Sequence, residues 1–173
     1  MKNHKQQNHG FTLIELLVVI SIIGVLSTIA MTSLNGARAK ARDAVRLSDM
    51  EQIRNALEIY KSMYGHYPYN SDTVDDGCGG WDVGYNGGSK SGDTFIQPLV
   101  DAGLMNKVPG DSKGTNCNDA YRYYNYGPYV VFGVEDMEAS GWPHPKSPGF
   151  NPDGPSGHNW QNEFEWVMGL FEN

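Results

Sequence analysis

One carboxylate stands where water is expected to be absent. Glu15 lies inside Phe11 to Leu34, a run of 24 residues with no other charged side chain. An acid at the centre of a membrane helix costs roughly 2.5 kcal/mol or more, and less one turn from the helix start, where headgroups are close. Intramembrane acids tend to carry function; the bland alternative is a tolerated interfacial acid near the positive end of the helix dipole. A second chemical landmark is the Gly10/Phe11 junction, where the polar leader MKNHKQQNHG, with Lys2 and Lys5, meets the apolar run. An ordinary secretory signal places its cleavage site after the apolar stretch, so a cut here would leave that stretch in the mature chain. The third is the pair Cys78 and Cys117, the only cysteines. With no CxxC and no histidine at zinc-finger spacing, a single disulfide in an exported domain is favoured over a metal site, two free thiols being the alternative.

Catalysis finds little in the remaining candidates. His4, His9, His66, His144 and His158 fall in no Ser/His/Asp or metal-ligand spacing. Gly84 to Ser91 (GYNGGSKS) superficially suggests a phosphate loop, but Ser89 replaces the glycine needed before the lysine and no apolar strand precedes it. No enzyme activity and no cofactor are expected. Asp111, Asn116, Asn118, Asp119 and Asp136 could supply oxygens to Ca²⁺, yet they show no fixed-spacing motif, and the expectation is no metal.

The string Gly10, Phe11, Thr12, Leu13, Ile14, Glu15, with a short basic leader before it and an apolar helix behind, resembles the prepilin motif of type IV pilins and type II secretion pseudopilins. The resemblance implies that a membrane prepilin peptidase cuts after Gly10 and N-methylates Phe11. It also implies that Glu15 pairs with the N-terminal amine of a neighbouring subunit and so sets the register of assembly. The implied product is a structural subunit of a type IV pilus or related filament, a helical homopolymer with related pilins and an assembly machinery as partners. A pseudopilin of a secretion or DNA-uptake machine shares the same N-terminal chemistry. The implied location is the cytoplasmic membrane for the precursor, leader inside and head outside, then an extracytoplasmic filament. The chain departs from many members in having Met31, Thr32 and Ser33 where a helix-bending proline often stands, so any unwinding in a filament is expected between Gly24 and Thr32.

These residues need elements to hold them. Phe11 to Leu34 as a helix would span roughly 36 Å, enough to cross a hydrocarbon core with some tilt. Beyond it a polar helix-favouring stretch runs to Gly65, with Pro68 as a stop signal, and Leu47, Met50, Ile53, Leu57, Tyr60 and Tyr64 make an apolar stripe. Arg38, Lys40, Arg42 and Arg46 follow the span, four bases against two in the leader. That would favour the opposite orientation for a lone membrane protein, but cleavage at Gly10 requires a cytoplasmic leader. The bases are expected to face headgroups and later acidic neighbours, or simply solvent.

Residues 65 to 120 read mainly as a connecting region, with a short helix within Thr94 to Asp111 whose Leu99, Val100 and Leu104 pack on the head. YRYYNY and YVVFGVE, joined at Gly127-Pro128, predict an antiparallel hairpin, and Phe164 to Phe171 a third strand, with Trp142 to Trp160 an ordered surface loop. The fold class is α+β: a long N-terminal helix packed on a small antiparallel sheet, divided as leader 1–10, membrane and assembly half 11–34, amphipathic half 35–64 and head 65–173. Net charge is −7, and −9 once Lys2 and Lys5 are removed, which argues against nucleic-acid binding. The many aromatics also admit a surface-displayed adhesive or glycan-binding module, with core packing the simpler reading.

Overall fold

The computed structural model describes residues 11–70, 78–84, 95–154 and 157–172. The leader with Gly10, and residues 85–91 of the glycine-rich stretch, lie outside the described residues. The order is helix α1 (Leu13–Tyr64), strand β1 (Asp82–Gly84), helix α2 (Gln97–Asp101), strands β2 (Tyr121–Asn125) and β3 (Tyr129–Val134), a 3-10 turn (Trp160–Asn162) and strand β4 (Trp166–Phe171). The chain divides after Ala39 into two compact units.

In the first unit, α1 is apolar all round and none of its large apolar side chains is buried: Leu13 is 87% and Ile29 63% exposed. Among the described residues α1 is the one helix long and apolar enough to cross a membrane. The helix continues without a break through Gly24 to Thr32.

The second unit is built on the stripe predicted from sequence. Met50, Ile53 and Leu57 are fully buried, with Leu47 and Tyr60 partly so. Tyr64, expected on the same stripe, is exposed, its ring 4.4 Å from that of Tyr60, because the helix is already ending. Gly65 takes φ +81° and donates its N–H to the Lys61 carbonyl, a left-handed cap that glycine adopts without a Cβ penalty. Against the stripe lie Leu99 of α2, with Val100 and Leu104 at its edge, and one face of an antiparallel sheet in the order β1-β2-β3-β4. That face presents Tyr121, Tyr123, Val130, Phe132, Val134 and Trp166.

The predicted strands are present, with Tyr123 opposite Phe132 and Phe132 opposite Met168. A fourth strand, β1, appears where the sequence reads as connecting loop. Three residues are too few to show alternation; side chains hold them instead. The Asp82 carboxylate accepts the Ile96 N–H at 2.9 Å, and the Gly84 carbonyl accepts that of Asp111 at 2.9 Å. A Cβ on Gly84 would lie 2.5 Å from the Phe95 ring, so the strand end admits only glycine.

The described part of the segment expected to be a surface loop does more than connect. Phe150, Trp160 and Phe164 lie with Val131 and Val167 in a second core on the other face of the sheet. Strand β3 is therefore covered on both sides, which is why it reads as a continuous apolar run. Two of the tryptophans that could have formed an adhesive surface are used here: Trp81 packs 5.5 Å from both Trp160 and Phe164, although Trp142 is half exposed. Phe164→Ala should therefore cost about 3–5 kcal/mol, in the range of a core truncation such as Leu57→Ala. Chemical denaturation checks it: a cost below about 1 kcal/mol would reduce the second layer to a surface loop.

Candidate assembly site and the ionic cluster of the head

At the start of α1 the sequence Thr12-Leu13-Ile14-Glu15 closes on itself. Thr12 caps the helix: its Oγ1 accepts the Glu15 N–H at 3.3 Å, while Glu15 Oε2 accepts the Thr12 N–H at 2.9 Å and the Thr12 hydroxyl at 2.6 Å. This is a capping box, two orphan N–H donors satisfied reciprocally. The Thr-x-x-Glu spacing that announces it is in the sequence, and the reading of Glu15 as a bare charge missed it. One carboxylate oxygen, Oε1, has no partner among the described residues. Phe11, Ile14, Val18 and Val19, with Glu15 itself, line an apolar hollow at this end of the helix. The arrangement is a helix-anchored carboxylate with one side open in an apolar setting, suited to an incoming ammonium.

The disulfide pairing is present. Cys78 and Cys117 are bonded, with Cα atoms 5.5 Å apart, tying the residues before β1 to those before β2 beside Val83 and Ala120. Of the oxygens weighed for Ca²⁺, those of Asp111, Asn116 and Asp119 are engaged within the protein. Asp119 accepts N–H groups from Thr115 and Asn116, both at 2.7 Å; burial opposes its ionisation, but these bonds outweigh it and hold its pKa below the ordinary value. Asp111 belongs to a different cluster. Among the described residues no group of three or more His, Cys, Asp or Glu is placed to hold a metal ion.

That second cluster corrects the expectation for the bases after the span. Arg46 is 3% exposed and faces neither solvent nor lipid. Its guanidinium grips Asp111 with two bonds, of 2.7 and 3.2 Å, and reaches Asp43 at 2.9 Å and Glu138 at 3.2 Å. Asp43 also accepts the N–H groups of Glu138 and Ala139, and Arg42 and Lys113 close on Glu138 from outside. Burial alone would lower the Arg46 pKa, but Asp111 and Asp43 raise it instead. The Arg42 hydrogen bond, against burial, holds Glu138 down at about 2. A signal was available: Asp43 and Arg46 extend the 50-53-57 stripe backward by steps of three and four, so both point at the head.

The model of the prokaryotic N-terminal methylation motif matches residues 5–31, which include Gly10, Phe11 and Glu15. The type IV major fimbrial protein FimA of Dichelobacter nodosus is 31% identical over 119 residues, 68% of each chain. The chain belongs to the family of type IV pilins and pseudopilins. Type II secretion system core protein G of Escherichia coli K12 is 44% identical over 62 residues, 36% of this chain and 43% of that protein. The same protein of Aeromonas hydrophila is 37% identical over 71 residues, 41% and 50%. The chain thus matches half or less of the length of these two secretion relatives. No solved structure matches it.

Within this pilin-like head the ionic cluster should respond to substitution and to acid. Arg46→Ala leaves Asp111 and Asp43 buried without their cation and should cost about 3–5 kcal/mol. Glu138 titrates near 2 when folded and near 4.5 when not, so its contribution is complete above about pH 4.5 and is lost as pH falls toward 2. Thermal melts from pH 5 to 2 should fall less steeply for Glu138→Gln than for the wild type; parallel curves would mean the cluster does not couple to protons.

Proposed function

We propose that this chain is a filament subunit made as a membrane-anchored precursor, cut after Gly10 by a prepilin peptidase, methylated at Phe11, and polymerised through its N-terminal helix. Residues 1–10 are then the cytoplasmic leader, 11–34 the membrane and assembly half of the helix, 35–64 its amphipathic half, and 65–173 the extracytoplasmic head. The observation that carries this reading is the apolar surface of α1 from Leu13 to Leu34, with no large side chain buried and a single acid at its start. Each such side chain is worth about 1.5–3 kcal/mol on leaving water. A surface of that size needs lipid first and other helices afterwards. Docking of a neighbour's terminal amine against Glu15 neutralises a charge that is costly in lipid.

The fimbrial relative aligns over the head as well as the helix, which favours a pilus over a secretion pseudofilament. The protein partners are copies of the chain, related pilins and an assembly machinery. The acidic balance supports no role in binding nucleic acid.

Intact mass spectrometry of membrane or filament material should give a chain that begins at Phe11 and carries one extra methyl group. A chain beginning at Met1, or beyond Leu34, would remove the processing step from the account.

The capping box makes the test of Glu15 sharper. Glutamine can still accept the Thr12 N–H, so Glu15→Gln keeps the cap and loses only the charge, whereas Glu15→Ala loses both. Both variants should insert as monomers and fall at least about tenfold in sheared filaments, the factor that one lost interaction of about 1.4 kcal/mol produces. Wild-type incorporation of Glu15→Gln would show that Glu15 serves its own helix end and not a neighbour.

A further inference from the structure

Within the second unit, α1 and the segment after β3 border an open pocket of about 400 Å³ whose lining includes Lys40, Asp43, Leu47, Ser140, His144 and Lys146. His144 is 7% exposed, so its ring is held by the protein. Its Nδ1 accepts the Lys146 N–H at 3.1 Å, which puts the proton of the neutral imidazole on Nε2. Burial, against the pull of Asp43, holds the ring pKa below its ordinary value and keeps that neutral form. Nε2 has no partner among the described residues, and it is not among the unpartnered atoms sealed from solvent. Its N–H is therefore not sealed inside the protein, and His144 is one of the residues lining the pocket.

The one acid in the lining does not compete for a cation. Both oxygens of Asp43 are occupied, by Arg46 and by the N–H groups of Glu138 and Ala139. The groups left over are the ammoniums of Lys40 and Lys146, the Ser140 hydroxyl and the His144 N–H, all able to donate. A lining of donors with two positive charges selects an acceptor-only anion. We propose that this pocket binds a phosphate group, the chemistry presented by a phospholipid headgroup or by free phosphate.

Two observations favour the lipid. Leu47 and Lys146 continue into an adjoining hollow of about 200 Å³ with Ser48, Glu51 and Trp166, where Leu47 and Trp166 offer apolar surface beside the anion site and Glu51 is the acid it must avoid. Lys40 follows Leu34, the end of the apolar run, by six residues, a chain length of at most about 20 Å, so the headgroup layer is within reach. The lipid source rests on the membrane-anchored precursor proposed above.

The test uses the full chain in detergent, offered phosphatidylglycerol or diacylglycerol, which lacks the phosphate, with retained lipid read by native mass spectrometry. A parallel titration with inorganic phosphate follows the His144 ring N–H by NMR. The expected result is retention of phosphatidylglycerol but not diacylglycerol, falling about fivefold for each of Lys40→Gln and Lys146→Gln, the scale of one basic contact at a membrane surface. Phosphatidylglycerol should also shift the His144 signal. A shift with inorganic phosphate alone would assign the site to the free anion. Equal retention by wild type and both variants, with His144 unmoved by either ligand, would overturn the proposal. So would unchanged retention together with a filament defect in Lys40→Gln, which would give the pocket to an acidic group of a neighbouring copy. A mature chain beginning at Met1 that still selects phosphatidylglycerol would sink the processing step and leave the pocket standing.

Discussion

The structure depends on one imbalance: from Leu13 to Leu34, α1 exposes apolar side chains on every face, and this unit of the chain does not cover them. Helical hydrogen bonding satisfies the backbone of such a segment internally, which is the condition for placing it in lipid. Its apolar side chains then lose nothing by leaving water. What remains to be satisfied is the helix start, where orphan N–H groups meet a carboxylate. Thr12 and Glu15 solve that locally, and among the described residues the solution occupies one oxygen of the acid while leaving the other open. The same residue can thus cap its own helix and still offer a charge to a second chain.

The head answers a different requirement. A small four-stranded sheet cannot bury enough surface on one face, and here it is covered on both: by α1 with α2, and by the segment carrying Phe150, Trp160 and Phe164. Arg46 then joins three separate parts of the chain, the helix through Asp43, the residues before β2 through Asp111, and those after β3 through Glu138. A buried ion pair of this kind contributes little net stability compared with an apolar replacement, but it penalises any arrangement that separates its members. The Cys78–Cys117 bond ties the glycine-rich region to the same part of the head. In the chain-entropy model a loop of this size is worth about 3–4 kcal/mol.

Much of this was legible in the residues. The span, the stripe at Met50, Ile53 and Leu57, the helix stop at Gly65, the hairpin and the last strand all rest on local periodicity and turn chemistry. The cysteine pairing followed from there being only two. What escaped the sequence depends on contacts between distant segments. Strand β1 is three residues long and is held by Asp82 and by its neighbour β2, so it has no pattern of its own. The second core was hidden because a Pro- and Gly-rich segment reads as surface whether or not its aromatics turn inward. Arg46 looked like one of a row of solvated bases, since nothing near it in the chain reveals Asp111 or Glu138. The capping box was a different kind of miss: Thr12 and Glu15 carry the pattern openly, and attention to the charge obscured the cap.

The central claim is that the N-terminal helices of neighbouring copies cover one another, with Glu15 meeting the next chain's amine. The most direct measurement is a filament structure by electron cryomicroscopy at a resolution that shows side chains. The account predicts residues 13–34 of adjacent copies packed together in the filament interior, and Glu15 within about 4 Å of the nitrogen of a neighbour's Phe11. A filament held by head contacts, with those helices apart and Glu15 bonded to its own Thr12 alone, would contradict it.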